Sequence, residues 1–263
     1  MTKSEKLQQI LICPKCKGLE LKNYLEKVKC ITCSSEYPII KDTPFLLKPE
    51  SKLRETFLKI INQNPTQSIK DRIKEKLRTP EPRLWTNKSK NSINTLLKNI
   101  NPDDSERIVM NVGAGVEKVF VKAFSKYTDI IRIGLPQKEK VDAYGDAMDF
   151  PIRNSSIDLI FSSSVLEHIE NPDLSVSEIF RILKPGGMVY AEIPFIKAYH
   201  LIPMDYQRYT ISGIEQLFKR NGFELVEKGI SSGPFTAWSL LFEEFILSLI
   251  PDNFIKFLIR IPL

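Results

Sequence analysis

Residues 141–187 read VDAYGDAMDFPIRNSSIDLIFSSSVLEHIENPDLSVSEIFRILKPGG. The stretch has three beats. An acidic loop, Gly145-Asp146-Ala147, leads to Phe150-Pro151. An apolar run over 157–161 then stops at Ser162-Ser163-Ser164. A short apolar run ending at small polar residues predicts a buried parallel strand with its carboxyl end at a site. A helix follows. Asn171 can cap it, Pro172 suits its first turn, and Val176, Ile179, Phe180 and Leu183 repeat at helical spacing. Lys184-Pro185-Gly186-Gly187 stops it, and 188–194 restarts an apolar strand. Strand, helix and strand in that order predict an α/β sheet whose ligands sit beyond the carboxyl ends of its strands.

Upstream, 107–112 reads as a buried first strand and Gly113-Ala114-Gly115 as its turn. Glycines there let the backbone approach a ligand, and the next helix offers its N-terminus. Val116, Val119, Phe120, Ala123 and Phe124 give that helix an apolar face, and 130–133 is a second strand. Only five residues separate Leu135 from Val141. A parallel crossover generally needs ten or more, so the third strand is expected to be short, displaced or absent.

These residues resemble class I S-adenosylmethionine-dependent methyltransferases, in the type 11 branch. The resemblance rests on Gly145-Asp146-Ala147 with Pro151, Ile157-Asp158-Leu159, Leu166-Glu167-His168 and Leu183 to Gly187, in that order. It covers 107–229 and implies a Rossmann-like doubly wound sheet with bound S-adenosylmethionine. It assigns cofactor contacts to Asn111, Gly113, Ala114, Gly115, Asp146, Ala147 and Ser162, with Asp146 meeting the adenine amino group. A turn-capping aspartate is the plainer reading of Asp146. The chain departs from the family twice. Asn111 stands where an acid is usual. Gly134-Leu135-Pro136-Gln137 follows the second strand, where the family places the acid that grips the ribose hydroxyls.

Near the N-terminus, Cys13-Pro14-Lys15-Cys16 and Cys30-Ile31-Thr32-Cys33 form two CxxC pairs. Each turn can present two sulfurs to one ion, and a hairpin would bring the turns together. Structural zinc at Cys13, Cys16, Cys30 and Cys33 is expected. A redox dithiol normally begins a helix in a strand-helix unit, which is missing here. The run 37–47 is similar to the zinc ribbons fused to this branch, and to the small adaptors of tRNA methyltransferases. The expected organisation is a ribbon over 1–48, a helical linker or cap over 49–105, the methyltransferase domain over 106–230 and an apolar helical tail over 231–263.

The 263 residues are 42% hydrophobic, enough for a real core. Net charge is +6, but residues 1–100 hold 21 Lys/Arg against 10 Asp/Glu, and 101–263 hold 17 against 22. A basic first third is compatible with nucleic acid, anionic lipid, an acidic partner or a solvated lysine surface. No run reaches the length of a membrane span, nothing reads as a signal peptide, and the cysteines pair as ligands. A cytoplasmic protein is expected.

Downstream, the loop 194–210 carries both an apolar start and a polar set, Tyr199, His200, Asp205, Tyr206 and Arg208. It is similar to a branch associated with cell-envelope and sugar gene sets. That resemblance suggests a small-molecule or envelope-precursor acceptor. His200 is the candidate base, with Asp205 orienting it or touching the acceptor. Tyr199, Tyr206, Arg208 and His168 are candidate acceptor contacts, and His168 reads equally as a structural residue. Ser212 and Glu215 can form a capping box, and 223–230 would be the next strand. Residues 238–250 are nearly all apolar, and 254–261 are apolar with Lys256 and Arg260. Core or dimer packing and peripheral membrane contact both suit that tail. The expected function is methyl transfer to a small-molecule, sugar or cell-envelope acceptor. An RNA methyltransferase using the basic ribbon is one rival, though Ser162-Ser163-Ser164 replaces the Asn/Asp-Pro-Pro-aromatic motif of base-flipping enzymes. A non-catalytic adaptor with a degenerate fold is the other.

Overall fold

The structure, a computed structural model, describes residues 1–62, 95, 96, 98, 106–113, 130–135, 140–199, 204–231 and 233–249. It opens with helix α1 (Lys3–Ile10), where Thr2 and Glu5 form a reciprocal capping box. Four short antiparallel strands follow in order: β1 (Leu21–Asn23), β2 (Lys27–Cys30), β3 (Glu36–Ile40) and β4 (Thr43–Pro44). The β1–β2 hairpin pairs Leu21 with Cys30 and so brings the second CxxC turn back to the first. Tyr37, Phe45, Leu46 and Leu47 are fully buried, so the ribbon has an apolar underside.

A second sheet is wholly parallel, with strand order β6-β5-β7-β8. Its members are β5 (Val109–Val112), β6 (Ile130–Ile133), β7 (Ile157–Ser163) and β8 (Leu183–Glu192). The β5 side chains are buried on both faces, as a central parallel strand requires. Among the described residues, the third strand is one bridge, Ile133 to Ala143. Beside it, Phe45 pairs in parallel with Tyr144, and Leu46 N donates to Tyr144 O at 3.0 Å. The chain leaving the ribbon thus supplies the outer edge that the short third strand cannot.

Other bonds weld the ribbon to the sheet. Ile12 N donates to Pro151 O at 2.9 Å and Arg153 N to Ile10 O at 2.8 Å. Lys6, buried on α1, reaches Arg107 O at 2.8 Å. Lys3 pairs with Asp142 at 2.8 Å, Lys48 with Asp149 at 2.7 Å, and Lys17 also binds Asp149. Helix α2 (Leu53–Asn62) lays Phe57 and Ile61 over Phe45, Leu47, Val141 and Tyr144. Arg54 covers the Phe45 ring at 5.1 Å.

Helix α3 (Pro172–Ile182) starts as its sequence predicts: Asn171 Oδ1 accepts from Leu174 N and Pro172 occupies the first turn. Its buried face is Ser175, Val176, Ile179 and Ile182. Phe180, expected on that face, is about half exposed and meets the edge of Phe223 instead. The helix ends at Ile182, before the expected stop at Lys184-Pro185-Gly186-Gly187, and pairing resumes at once. Leu183 is already opposite Ile157, and a bulge falls before Met188 pairs with Leu159. The expected start of this strand at 188 is therefore corrected to 183. Asp158 closes the arrangement: its carboxylate accepts from Ile108 N at 2.9 Å and from Lys184 Nζ at 2.8 Å.

Helix α4 (Ile211–Arg220) is capped by Thr210, whose Oγ1 accepts from Gly213 N at 3.1 Å, and not by Ser212. Thr210 sits one residue before the helix, where the first N–H groups point at its side chain. Gly222 (φ 91°) ends it. Residues 223–230 form no strand, contrary to expectation. Leu225, Val226 and Ile230 are more than half exposed, so the segment gains no buried face to fix a register. Helix α5 (Pro234–Leu249) follows, within the stretch expected to be an apolar tail.

Candidate functional site

The carboxyl ends of β5, β6 and β7 meet at Gly113, Gly134 and Ser162–Ser164. Gly113 adopts φ 85° and its N–H donates to Ile133 O at 2.7 Å. Gly134 (φ 144°) packs against it: a Cβ there would stand 3.0 Å from both Gly113 Cα and N. The absence of an acid at this position follows from that contact. Leu135, next in line, joins the apolar cluster under α2.

Asn111 is almost wholly buried; its Nδ2 donates to Gly113 O at 2.8 Å, and its Oδ1 has no partner among the described residues. Ser162 is equally buried and its Oγ is likewise unpartnered. By register, Ser162 shares a face with Val112, while Asn111 shares one with Phe161. The two orphaned oxygens therefore lie on opposite faces of the sheet.

Asp146 and Ala147 lie on the loop after the reduced third strand. Asp146 Oδ1 accepts from Met148 N at 2.8 Å, so its turn-capping role is real. Burial pushes its carboxyl above the usual range, with Asp149 and Glu178 adding to the shift and Met148 N–H and Lys48 opposing it. Ala147 packs half-buried against the main core. Helix α3 fixes this loop. Phe150 N donates to Glu178 Oε2 at 2.8 Å, and Arg181 donates to Phe150 O at 3.1 Å and Ile152 O at 2.8 Å. Although burial alone would raise it, Lys17 and Lys48 hold the Asp149 carboxyl below its ordinary value.

The acceptor loop is pinned to the turn 166–168. His168 Nδ1 donates to Met204 O, Tyr206 N to Glu167 O at 2.9 Å, and Gln207 Nε2 to Leu166 O and Ile169 O at 3.1 and 2.9 Å. The His168 side chain is 8% exposed, so it positions the loop. Arg208 and Asp205 form a two-pronged pair, with Arg208 Nη2 to Asp205 Oδ2 at 2.7 Å; Asp205 is 2% exposed. Arg208, an expected acceptor contact, and Asp205, the expected orienter of His200 or acceptor contact, thus bind each other. Tyr199 and Tyr206 remain open, at 71% and 47% exposure. His200, Ala114 and Gly115 lie outside the described residues.

Sequence reasoning missed Glu167. It is fully buried, and neither side-chain oxygen has a hydrogen-bond partner among the described residues. His168 Nε2 stands 3.7 Å from its Oε1. Burial raises the carboxyl, opposed by its own backbone N–H and by His168, Lys197 and Arg208. The signal was an acid immediately after Leu166, where the chain turns back into the core.

The four cysteine sulfurs lie within 4.8 Å of one another. Cys13 and Cys33 are 3.7 Å apart, and Cys16 and Cys30 3.6 Å. A tetrahedral zinc with bonds near 2.3 Å needs sulfurs roughly 3.8 Å apart, so the set fits that ion. Within the cluster, Ser35 pulls the Cys33 thiol down to about 6, whereas Cys16, despite a lowering bond from Gly18, is pushed up to about 12 by its sulfur neighbours and burial, so without metal the sulfurs share charge unevenly. Gly18 is required beside this turn, since a Cβ would fall 2.6 Å from Thr32 Oγ1.

Comparison with known proteins agrees with this geometry. Residues 127–191 match the methyltransferase domain family. A Mycolicibacterium smegmatis protein described as "Probable S-adenosylmethionine-dependent methyltransferase" is 33% identical over 51 residues, 19% of this chain and 20% of its own length. The malonyl-[acyl-carrier protein] O-methyltransferase of Methylococcus capsulatus is 44% identical over 43 residues, 16% of each chain. The chain therefore spans a fifth or less of these relatives' length. The structure of Haemonchus contortus phosphoethanolamine N-methyltransferase 2 with S-adenosyl-L-methionine superimposes with a TM-score of 0.43 at 20% identity, over 64% of this chain and 46% of that one. The methyltransferase-domain match thus falls on β6, β7, α3 and most of β8, within the parallel sheet of order β6-β5-β7-β8.

Proposed function

We propose that this protein is an S-adenosylmethionine-dependent methyltransferase acting on a polar small-molecule, sugar or cell-envelope acceptor, with one structural zinc ion in its ribbon. The methyltransferase segment carries the reading, set beside buried Asn111 and Ser162 oxygens that lack partners. The cofactor, when bound, supplies a methyl group made electrophilic by its sulfonium sulfur. Asn111 Oδ1 would accept from the cofactor's ammonium group, since its Nδ2 is held by Gly113 O. Asp146 and Ala147 would hold the adenine end, Asp146 as acceptor for its amino group. Gly113 and the turn after it let the backbone approach closely.

The acceptor enters beside 194–210. Exposed Tyr199 and Tyr206 border it, and His200 removes a proton from an acceptor hydroxyl. The Asp205–Arg208 pair, with Arg208 also donating to Ala198 O, braces the loop. His200→Ala should lower turnover by ~10²-fold or more and leave cofactor affinity nearly unchanged.

The adaptor reading keeps one specific support: the Gly113–Gly134 contact leaves no acid for the ribose. Calorimetric titration with S-adenosylmethionine separates the two. Binding that weakens in Asp146→Ala supports the enzyme; no binding at millimolar cofactor supports the adaptor.

A further inference from the structure

Glu167 is fully buried, and the methyl-transfer reading gives it no task. It sits in the short turn Leu166–His168, just beyond the carboxyl end of β7. That turn holds the segment 204–208 through its backbone. Tyr206 N donates to Glu167 O at 2.9 Å, and Gln207 Nε2 to Leu166 O at 3.1 Å. One side chain joins in: His168 Nδ1 binds Met204 O. A carbonyl oxygen can only accept, so Nδ1 must carry a hydrogen. In a neutral imidazole Nε2 is then bare and can accept. Nε2 stands 3.7 Å from Glu167 Oε1, just beyond hydrogen-bond range. Neither Glu167 side-chain oxygen has a hydrogen-bond partner among the described residues.

We propose that Glu167 is a positioning residue for the acceptor loop: as a neutral carboxylic acid it donates to His168 Nε2 and so locks the ring in the Nδ1–H tautomer that binds Met204 O. The proposal rests on the reading of 194–210 as the acceptor loop. A buried carboxyl without a partner is more stable with its proton on, and that proton needs an acceptor. The acid and the bare ring nitrogen complete each other, because the hydrogen bond made at one ring nitrogen fixes the state of the other. Closing the gap takes about 1 Å of side-chain movement. The cations nearby do not hold the carboxylate form. Lys197 is exposed, and Arg208 is engaged by Asp205, its Nη2 2.7 Å from Oδ2. Burial outweighs them and raises the Glu167 carboxyl, against the pull of its own N–H, His168, Lys197 and Arg208.

The test is nuclear magnetic resonance on the full chain labelled with nitrogen-15. It uses neither cofactor nor acceptor, so its failure is separate from failure of the methyltransferase reading. The chain has two histidines, His168 and His200. In His200→Gln every ring signal belongs to His168. At neutral pH its ring nitrogen shifts should show the Nδ1–H tautomer. Adding Glu167→Gln should keep that tautomer, because an amide N–H also donates to Nε2. Adding Glu167→Met instead fills a similar volume with no donor, so the Nε2–H form should appear. The loop should then open more often. Trypsin should cut after exposed Lys197 about three- to tenfold faster in Glu167→Met than in Glu167→Gln. A His168 ring that carries hydrogen on both nitrogens, or mainly on Nε2, before Glu167 is changed overturns the proposal. Gln and Met variants that behave alike overturn it too, since packing alone would then explain Glu167. Should Glu167→Met fail to fold, the other two spectra decide: loss of the Nδ1–H form in Glu167→Gln overturns the proposal.

Discussion

Gly134 lies so close to Gly113 that a Cβ on it would stand 3.0 Å from two backbone atoms of its neighbour, and its φ of 144° is one that side chains rarely adopt. The two glycines hold the carboxyl ends of β5 and β6 together where a cofactor would approach. Restoring the family's acid by Gly134→Asp should therefore fail to tighten S-adenosylmethionine binding. It should cost about 1–3 kcal/mol of stability through strain. Urea denaturation and calorimetry on the same variant check both statements; tighter binding at unchanged stability would refute the steric account.

Asp146 sets stability against binding. Its folded carboxyl is raised by burial, so the charged form is disfavoured in the folded state. The resulting loss of stability is absent below the unfolded value near 3.8 and grows as pH rises through the raised folded value. Asp146→Asn keeps an oxygen for Met148 N–H. It should be more stable than wild type at neutral pH and no more stable at low pH, while binding S-adenosylmethionine more weakly by ~1–3 kcal/mol. Denaturation curves at several pH values, paired with titrations, test this. A variant less stable at neutral pH would show that the carboxylate is well satisfied after all.

Asp158 and Lys184 make an uneven pair. Asp158 also accepts from Ile108 N just before the central strand, whereas Lys184 is 40% exposed and bonds to Asp158. Asp158→Ala should cost about 1.5–3 kcal/mol, because it strands a backbone donor. Lys184→Ala should cost only ~0.2–1 kcal/mol, the range of an exposed ion pair. Equal losses on chemical denaturation would mean that the ion pair, not the backbone bond, dominates.

Zinc removal should reach the second sheet. Phe45 and Leu46 edge that sheet at Tyr144, and Lys17 and Lys48 bind Asp149, three residues from Asp146. A chelator that strips the four cysteines should lower the melting temperature of the whole chain and weaken cofactor binding. Elemental analysis should first give about one zinc per chain, as a four-thiolate site requires. An N-terminal module that stays folded without metal, or cofactor binding indifferent to chelation, would go against this coupling.

Acid should loosen the same junction. Lys17 and Lys48 hold Asp149 below its ordinary value. That stability is present above the unfolded value near 3.8 and is lost as pH falls through the lower folded value. In a Lys17→Ala, Lys48→Ala double variant the acid-dependent loss should shrink, read as a smaller difference between neutral and acid melting temperatures.

By itself the sequence determined what depends on local order: the two CxxC turns, the Asn171-Pro172 helix start, the buried runs of β5 and β7, and the shortage of chain between Leu135 and Val141, where the described residues show one bridge for a third strand. These follow from spacing, capping and apolar periodicity within a few residues. Tertiary structure decided what depends on who stands opposite. Register opposed Asp158 to Lys184 and brought Phe45 beside Tyr144. Packing made Gly134 a glycine because of Gly113, turned Arg208 to Asp205, and buried Glu167. It also left 223–230 outside any described strand despite its strand-like composition, with Leu225, Val226 and Ile230 more than half exposed. Side-chain roles at the ends of strands are set by neighbours distant in sequence, so local pattern named the residues there and only the fold assigned their partners.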